Sequence, residues 1–347
     1  MTDIGVRARL RNVASATSEG FRDRMANRDP IARVAFNVLP MTDPWGGGNA
    51  WVQQQVAFLR QRGYSVRFDL RGPVDCIILA SAKPTHLEAI SFDEVRRYRE
   101  SHPSCVCLHR VNDSDAHRES GGVDSYIAAA SELADYTVFI SAWVRDYHAN
   151  RWFDRSRPHG VILNGADPRI FHPIGGSVYD GSSPLRIITH HWSDNPAKGF
   201  DRYAQLDWLI ESGSLPGVEL WLVGRWPANI EWRRARLIGP RSGRSLGDAL
   251  RSCHVYITAS RWEAGGMHVV EGLQCGLPLL YAADGGGIAE AAGADAGLVI
   301  SNGLADTVQE VGRRYHEMRA RVLANPPSGD RMALDYAETI QRLIATA

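Results

Sequence analysis

The sequence predicts two doubly wound α/β domains, each a parallel sheet covered by helices on both faces. Three observations carry this expectation. Short apolar runs alternate with helical patterns from residue 33 to about 300, the order that parallel sheets with crossover helices require. A Gly/Ser/Pro-rich stretch, Pro173–Pro184, splits the alternation into two series and reads as a linker. The 347 residues are 44% hydrophobic, enough for two cores without disulfide support.

In the first series Arg33–Leu39 is an apolar strand and Asn49–Arg62 a helix closed by Gly63. Ser65–Leu70 and Cys76–Ala80 are strands, and Phe92–Glu100, Ser104–His109, Val123–Ala134 and Tyr136–Ile140 continue the alternation up to Gly160–Asp167. The second series runs through Leu185–Thr189, Phe200–Glu211, Val218–Val223, Ser245–Arg251 and Val255–Thr258 to a late strand, Leu279–Ala282. Residues 303–324 and 329–346 read as helices. The expected domains are 1–175 and 176–325, with a C-terminal helix in 326–347 packing back on the first.

Composition excludes several classes. With 39 basic and 39 acidic residues the formal charge is zero, which argues against a general nucleic-acid binder. No apolar run is long enough to cross a bilayer, and Met1–Arg7 lacks the apolar core of a signal peptide. The five cysteines (Cys76, Cys105, Cys107, Cys253, Cys275) are odd in number and show no zinc spacing. Buried, reduced thiols and a cytoplasmic location follow as expectations. In residues 1–30, Val6, Leu10 and Val13 share a helical face while Arg7, Arg9 and Arg11 lie mostly off it. The expectation is a helix docked on the protein; the alternative is peripheral contact with the inner membrane face.

The chemistry concentrates in Glu263-Ala-Gly-Gly-Met-His-Val-Val-Glu271, followed by Gly272-Leu-Gln-Cys-Gly-Leu-Pro278. The run Val255–Ser260 before it is a buried strand, so the segment reads as strand, glycine turn, helix. Glu263 then sits on the turn at the strand's carboxyl end, where open α/β sheets bind ligands. Backbone N–H groups at Gly266, Met267 and His268 open the helix and face an anion. Glu271 lies about two turns further on, on roughly the same face.

This segment resembles the E-x7-E segment of retaining glycosyltransferases with the GT-B fold, two Rossmann-like domains facing across a cleft, of the family 4 or glycosyl transferases group 1 type. The resemblance implies that Glu263 holds hydroxyls of a donor sugar and Glu271 the nucleotide ribose, with Gly265, Gly266, Met267 and His268 lining the donor. Asn195-Pro-Ala-Lys198-Gly-Phe-Asp201 resembles the family's Lys-Gly-x-Asp motif, which makes Lys198 the cation for the leaving diphosphate. Relatives pair that lysine with an arginine a few residues earlier. Here the stretch reads Thr189-His-His-Trp-Ser-Asp-Asn195, so His191, Ser193 or Arg225 is left to take its place. Backbone around Ile238-Gly-Pro240 would frame the nucleobase. Asn164-Gly-Ala-Asp167 with Phe171-His-Pro173 resembles the passage that joins the family's two domains.

In the first half, Pro44-Trp-Gly-Gly-Gly-Asn49 opens the first helix, and glycines there permit close backbone approach to phosphate. The resemblance implies donor contact at Gly47 and Gly48 and an acceptor side near Asn49 and Asp113. His109 is the implied histidine touching the donor sugar, with a structural hydrogen bond as the alternative. Asp113-Ser-Asp115 forms a D-x-D but has no further metal-ligand set beside it and reads as a decoy; no metal and no cofactor are expected. The adjacent His190 and His191 point to opposite faces of a strand. Asp284-Gly-Gly-Gly-Ile-Ala-Glu290 reads as a turn with Ile288 packing the next helix. Arg225–Arg251 carries seven arginines against Glu231 and Asp248, an excess for which a nucleotide diphosphate is one partner. Trp45, Trp226 and Trp232 are candidates for stacking on sugar rings.

The implied activity is transfer of a sugar from a nucleotide diphosphate sugar to a hydroxyl of a carbohydrate, lipid-linked or small-molecule acceptor, with retention at the anomeric carbon. The alternatives are an epimerase or hydrolase of nucleotide sugars, and a non-catalytic nucleotide-sugar-binding partner.

Overall fold

The computed structural model describes residues 30–41, 46–117, 121–293, 296–300 and 303–347. The basic amphipathic stretch of 1–30, apart from its last residue, and Pro44 and Trp45 lie outside the described residues. The chain divides into two compact units. One holds the described residues up to Ile162 together with Met332–Ala347, and the other is Leu163–Arg331.

The first unit is built on β1 (Arg33–Phe36), α1 (Gly47–Gln61), β2 (Ser65–Arg67), β3 (Cys76–Leu79), α2 (Phe92–Ser101), β4 (Val106–Val111), α3 (Val123–Leu133), β5 (Tyr136–Phe139), α4 (Ala142–Ala149) and β6 (His159–Val161). The strands form a parallel sheet in the order β2-β1-β3-β4-β5-β6. β3 is Cys-Ile-Ile-Leu, buried throughout, as a strand covered on both faces must be. Ser91 and Glu94 close a capping box that starts α2; the hydrogen bonds from Ser91 hold the Glu94 carboxyl below its usual range. Ser141 caps α4 by accepting from the Val144 N–H.

The C-terminal helix α11 (Gly329–Thr346) places Met332, Tyr336 and Ile340 one turn apart, and all three join the core around Trp51 and Leu59. The Tyr336 and Trp51 rings meet edge to face at 5.0 Å. The Arg110 guanidinium of β4 lies 4.4 Å from the Trp51 ring centroid.

The second unit comprises β7 (Leu185–His191), α5 (Phe200–Glu211), β8 (Val218–Gly224), β9 (Arg236–Ile238), α6 (Gly243–Arg251), β10 (Val255–Thr258), α7 (Met267–Gln274), β11 (Leu279–Ala282), α8 (Ile288–Ala292), β12 (Gly297–Ile300), α9 (Leu304–Arg313) and α10 (Tyr315–Ala324). Its parallel sheet has the order β12-β11-β10-β7-β8-β9. Strand order therefore reverses between β7 and β10, which makes their carboxyl ends the switch point of the sheet.

The stretch Pro173–Pro184, expected to link the domains, lies inside this second unit. Its composition suits a linker, but its backbone is engaged: Gly176 N–H donates to the Pro173 carbonyl, Ser177 N–H to Arg251, and Tyr179 packs on His254 and Tyr315. The short edge strands β6 and β9 are not evident in the sequence as separate runs, because three residues set no period. All five cysteines are free and buried. No described helix is long and apolar enough to cross a membrane.

Candidate functional site

At the switch point of the second sheet, β7 ends in Thr189-His-His191 and the chain enters a short 3-10 turn, Pro196–Lys198. Asn195 caps that turn by accepting from the Ala197 N–H. Gly199 follows at φ 74, and a Cβ there would lie 2.2 Å from the Ala259 carbonyl oxygen. Only glycine permits both the left-handed backbone and this approach to the end of β10. The turn thereby aims Lys198 across β10. Its Nζ lies 2.8 Å from Oε2 of Glu263, and both side chains are largely buried.

Glu263 sits on the turn between β10 and α7, as the sequence predicts. Its backbone is fixed from the neighbouring Gly285–Gly287 loop. Trp262 N–H donates to the Asp284 carbonyl and Glu263 N–H to that of Gly285, and the Glu263 carbonyl accepts from Gly287. Gly286 has φ 71, and a Cβ on it would meet the Glu263 carbonyl oxygen at 2.5 Å. The triple glycine that reads as a plain turn is thus the clasp of this loop. Trp262 is held at φ 52, a conformation that a bulky residue adopts only when its surroundings impose it. Arg261 ties the loops further: its N–H donates to the Ala197 carbonyl, and its guanidinium lies 3.5 Å from Asp201 and 3.6 Å from Asp284.

α7 opens at Gly266, and Asn164 supports the turn by donating to the Gly265 carbonyl at 2.6 Å. Among the described residues the amides of Gly266 and Met267 have no acceptor, so they are available to an anion. His268 Nε2 lies 3.1 Å from the Thr258 hydroxyl. Glu271, two turns along, is only 9% exposed, and its Oε2 is 2.7 Å from His190 Nε2. The two histidines that end β7 do face opposite ways. His190 meets Glu271 and Tyr256, whereas His191 meets Thr189 and Tyr203.

The other predicted residues of this unit fall at its rim. Arg225 follows β8, donates its N–H to the His191 carbonyl, and carries an exposed guanidinium 4.6 Å from the Trp192 ring centroid. Ile238 ends the edge strand β9. Three of the seven arginines form ion pairs within the second unit. Asp207 accepts from the N–H groups of Arg233, Arg234 and Ala235, Glu211 pairs with Arg234, Glu231 with Arg233, and Asp248 with Arg251. Trp226 and Trp232 pack on the core of this unit rather than standing free.

The first unit treats its candidates differently. Gly47 and Gly48 form the exposed first turn of α1, at the carboxyl end of β1. The Asn49 amide is occupied with the Met41 backbone, accepting from its N–H at 2.7 Å and donating to its carbonyl at 3.1 Å. His109 requires a correction. It is fully buried in β4 and its Nδ1 lies 2.9 Å from the Ser131 hydroxyl of α3. Burial, with a smaller contribution from His148, lowers its pKa to about 3. Strand alternation turned this ring into the sheet–helix interface, so it is a structural histidine. In the D-x-D, Asp115 receives the Gly122 and Val123 N–H groups at the start of α3, and Asp113 receives the Ser114 N–H. These are turn and capping roles.

Residues 232–322 match the family described as Glycosyl transferases group 1, a span that contains Glu263 and Glu271. No curated protein matches the chain. Among solved structures, a sucrose-phosphate synthase from Thermosynechococcus elongatus is 15% identical with a TM-score of 0.65, covering 91% of this chain and 100% of its own. The Anabaena protein Alr3699/HepE, solved with UDP and glucose, is 14% identical with a TM-score of 0.61, covering 89% and 99%. A glycosyltransferase from Rickettsia africae is 13% identical with a TM-score of 0.61, covering 91% and 100%. At these identities the likeness is one of fold. The chain has the α/β fold of GT-B glycosyltransferases, and its second unit carries a glycosyl transferases group 1 segment.

His190, Tyr256, Arg261, Asn164 and Gly286 join this candidate site, a place the sequence alone did not give them. The signal for two of them was present: a histidine one residue from the end of the switch-point strand β7, and a triple glycine after β11. Arg261 and Tyr256 carry no motif of their own.

Proposed function

We propose that the protein is a retaining glycosyltransferase of family 4 type, moving a sugar from a nucleotide diphosphate sugar to an acceptor hydroxyl without a metal. One observation carries this reading. Lys198 and Glu263, from two different strand ends of one switch point, meet at 2.8 Å in a largely buried position. Lys198 and the open amides of α7 supply positive charge where a leaving diphosphate gathers negative charge. Glu263 accepts hydrogen bonds from sugar hydroxyls and fixes the anomeric carbon for attack. Lys198 and Glu263 pair with each other; a diphosphate competes for Lys198 and leaves the Glu263 carboxylate to the sugar. Glu271 takes the ribose. The fold match to a protein solved with UDP and glucose supports a nucleotide-sugar donor. The acceptor is a hydroxyl of a carbohydrate, a lipid-linked sugar or a small molecule, and the reaction is placed in the cytoplasm.

The test begins with thermal stabilisation by UDP, GDP, ADP, CMP and dTDP. A ligand at a hundred times its Kd adds about 2.7 kcal/mol. The expected result is one diphosphate standing out and losing its effect in Lys198→Ala. The corresponding sugar nucleotide is then turned over with full activity in EDTA, and NMR of the product shows the anomeric configuration of the donor. Inactivity in EDTA, or an inverted product, contradicts the reading.

A further inference from the structure

We propose that His190 is a positioning residue for ribose recognition. It anchors one carboxylate oxygen of Glu271 so that the other is presented to the hydroxyls of a bound nucleotide. The inference rests on the nucleotide-sugar reading and concerns a residue outside the E-x7-E and Lys-Gly motifs.

The geometry starts from packing. A Cβ on Gly272 would lie 2.6 Å from the Tyr256 ring, so α7 lies against β10 at a distance only glycine allows. This approach sets Glu271, the residue before Gly272, beside Tyr256 and the end of β7. His190 closes the group, with Nε2 2.7 Å from Glu271 Oε2 and Nδ1 3.1 Å from the Tyr256 hydroxyl.

The hydrogen-bond roles are then constrained. A ring nitrogen 2.7 Å from a carboxylate oxygen must carry a proton, because two lone pairs would otherwise face each other. Nε2–H therefore donates to Glu271. The Tyr256 hydroxyl accepts from the His190 backbone N–H at 3.3 Å, and burial keeps its phenol protonated, so its own proton is available to Nδ1. The imidazole is thus held between Glu271 and Tyr256.

The remaining carboxylate oxygen is the second observation. Glu271 is 9% exposed, yet Oε1 has no hydrogen-bond partner among the described residues. That oxygen keeps access to solvent, so a donor on a ligand can reach it. Vicinal hydroxyls of a ribose are donors of the right kind. His191 gives the internal contrast: it is buried on the other face of the strand and packs with Thr189 and Tyr203.

The experiment compares calorimetric Kd values for three ligand pairs, UDP, GDP and ADP, each against its 2′,3′-dideoxy counterpart. The variants are His190→Leu and His190→Gln, the second keeping an N–H that can reach Glu271. Each ratio is measured within one protein, so loss of folded material cancels. The wild type is expected to favour the ribose form of one pair by roughly tenfold or more, the usual effect of hydrogen bonds to a charged group. In His190→Leu the ratio should collapse to within about threefold while the dideoxy affinity stays unchanged, and His190→Gln should restore most of it. A His190→Leu protein that keeps the wild-type ratio overturns the proposal. So does a wild type that binds ribose and dideoxy forms equally, which leaves the nucleotide reading intact. A wild type that binds none of the six overturns the proposal, and it overturns the nucleotide-sugar reading as well when CMP and dTDP also fail to bind.

Discussion

The two sheets present the same opportunity at their switch points and use it differently. In the first, β1 runs into an exposed glycine turn, Asn49 spends both ends of its amide on Met41, and His109 faces into the core. In the second, Lys198, Glu263, His190 and Glu271 converge on the ends of β7 and β10. Topology fixes where a ligand can sit. The side chains released there by the last residues of each strand decide whether anything charged is held. His109 and His190 make the point within one residue type: one is turned by strand alternation against a helix, the other toward a carboxylate.

The largest break in the comparison is expected at Glu263. Glu263→Ala should lower turnover of the sugar nucleotide by roughly 10²–10³-fold, the scale for removing one group that meets the reacting centre, as measured by release of nucleoside diphosphate. Next, Gly272→Ala should cost about 1–3 kcal/mol through overpacking against Tyr256, seen as a lower urea midpoint, and should weaken nucleotide binding because Glu271 moves with α7. Equal stability to wild type would show that α7 yields freely and does not fix Glu271.

In the first sheet, His109→Ala should leave turnover within about twofold and cost about 1–3 kcal/mol, from the lost Ser131 hydrogen bond and the cavity. The pH dependence has a defined sign. The folded-state pKa of about 3 lies below the ordinary 6.5, so the unfolded chain binds the proton more readily. The histidine's contribution is present above about pH 6.5 and is lost as pH falls toward 3. Denaturation midpoints between pH 7 and pH 4 should therefore fall less steeply in His109→Ala than in wild type. The smallest effect is expected at Gly48. An added Cβ there meets only Asn112 Nδ2, at 3.6 Å, so Gly48→Ala should stabilise α1 by about 0.4–1 kcal/mol, read as a higher Tm.

Much of this was legible in the sequence, for reasons that differ by element. Strands such as Cys76–Leu79 and Val255–Thr258 are buried on both faces, so they appear as unbroken apolar runs between turn residues. Glu263, Lys198 and Glu271 were legible because they lie in short motifs that resemble those of GT-B glycosyltransferases. The contact between Glu271 and His190 was not legible. The two residues are 81 positions apart, and their meeting depends on the β7–β10 pairing and on how closely Gly272 lets α7 approach. His109 was misplaced because a strand end says which residue is last but not which face it takes. Pro173–Pro184 was misplaced because composition does not report the hydrogen bonds that pin it to Arg251.

The central claim is that the carboxyl ends of β7 and β10 hold the nucleotide. A crystal structure of the protein grown with the nucleoside diphosphate that stabilises it most tests this directly. The account predicts the diphosphate within hydrogen-bond distance of Lys198 Nζ, and a ribose hydroxyl on Glu271 Oε1. A nucleotide bound instead at the Gly46–Gly48 turn of the first sheet, with Lys198 still paired to Glu263, would contradict it.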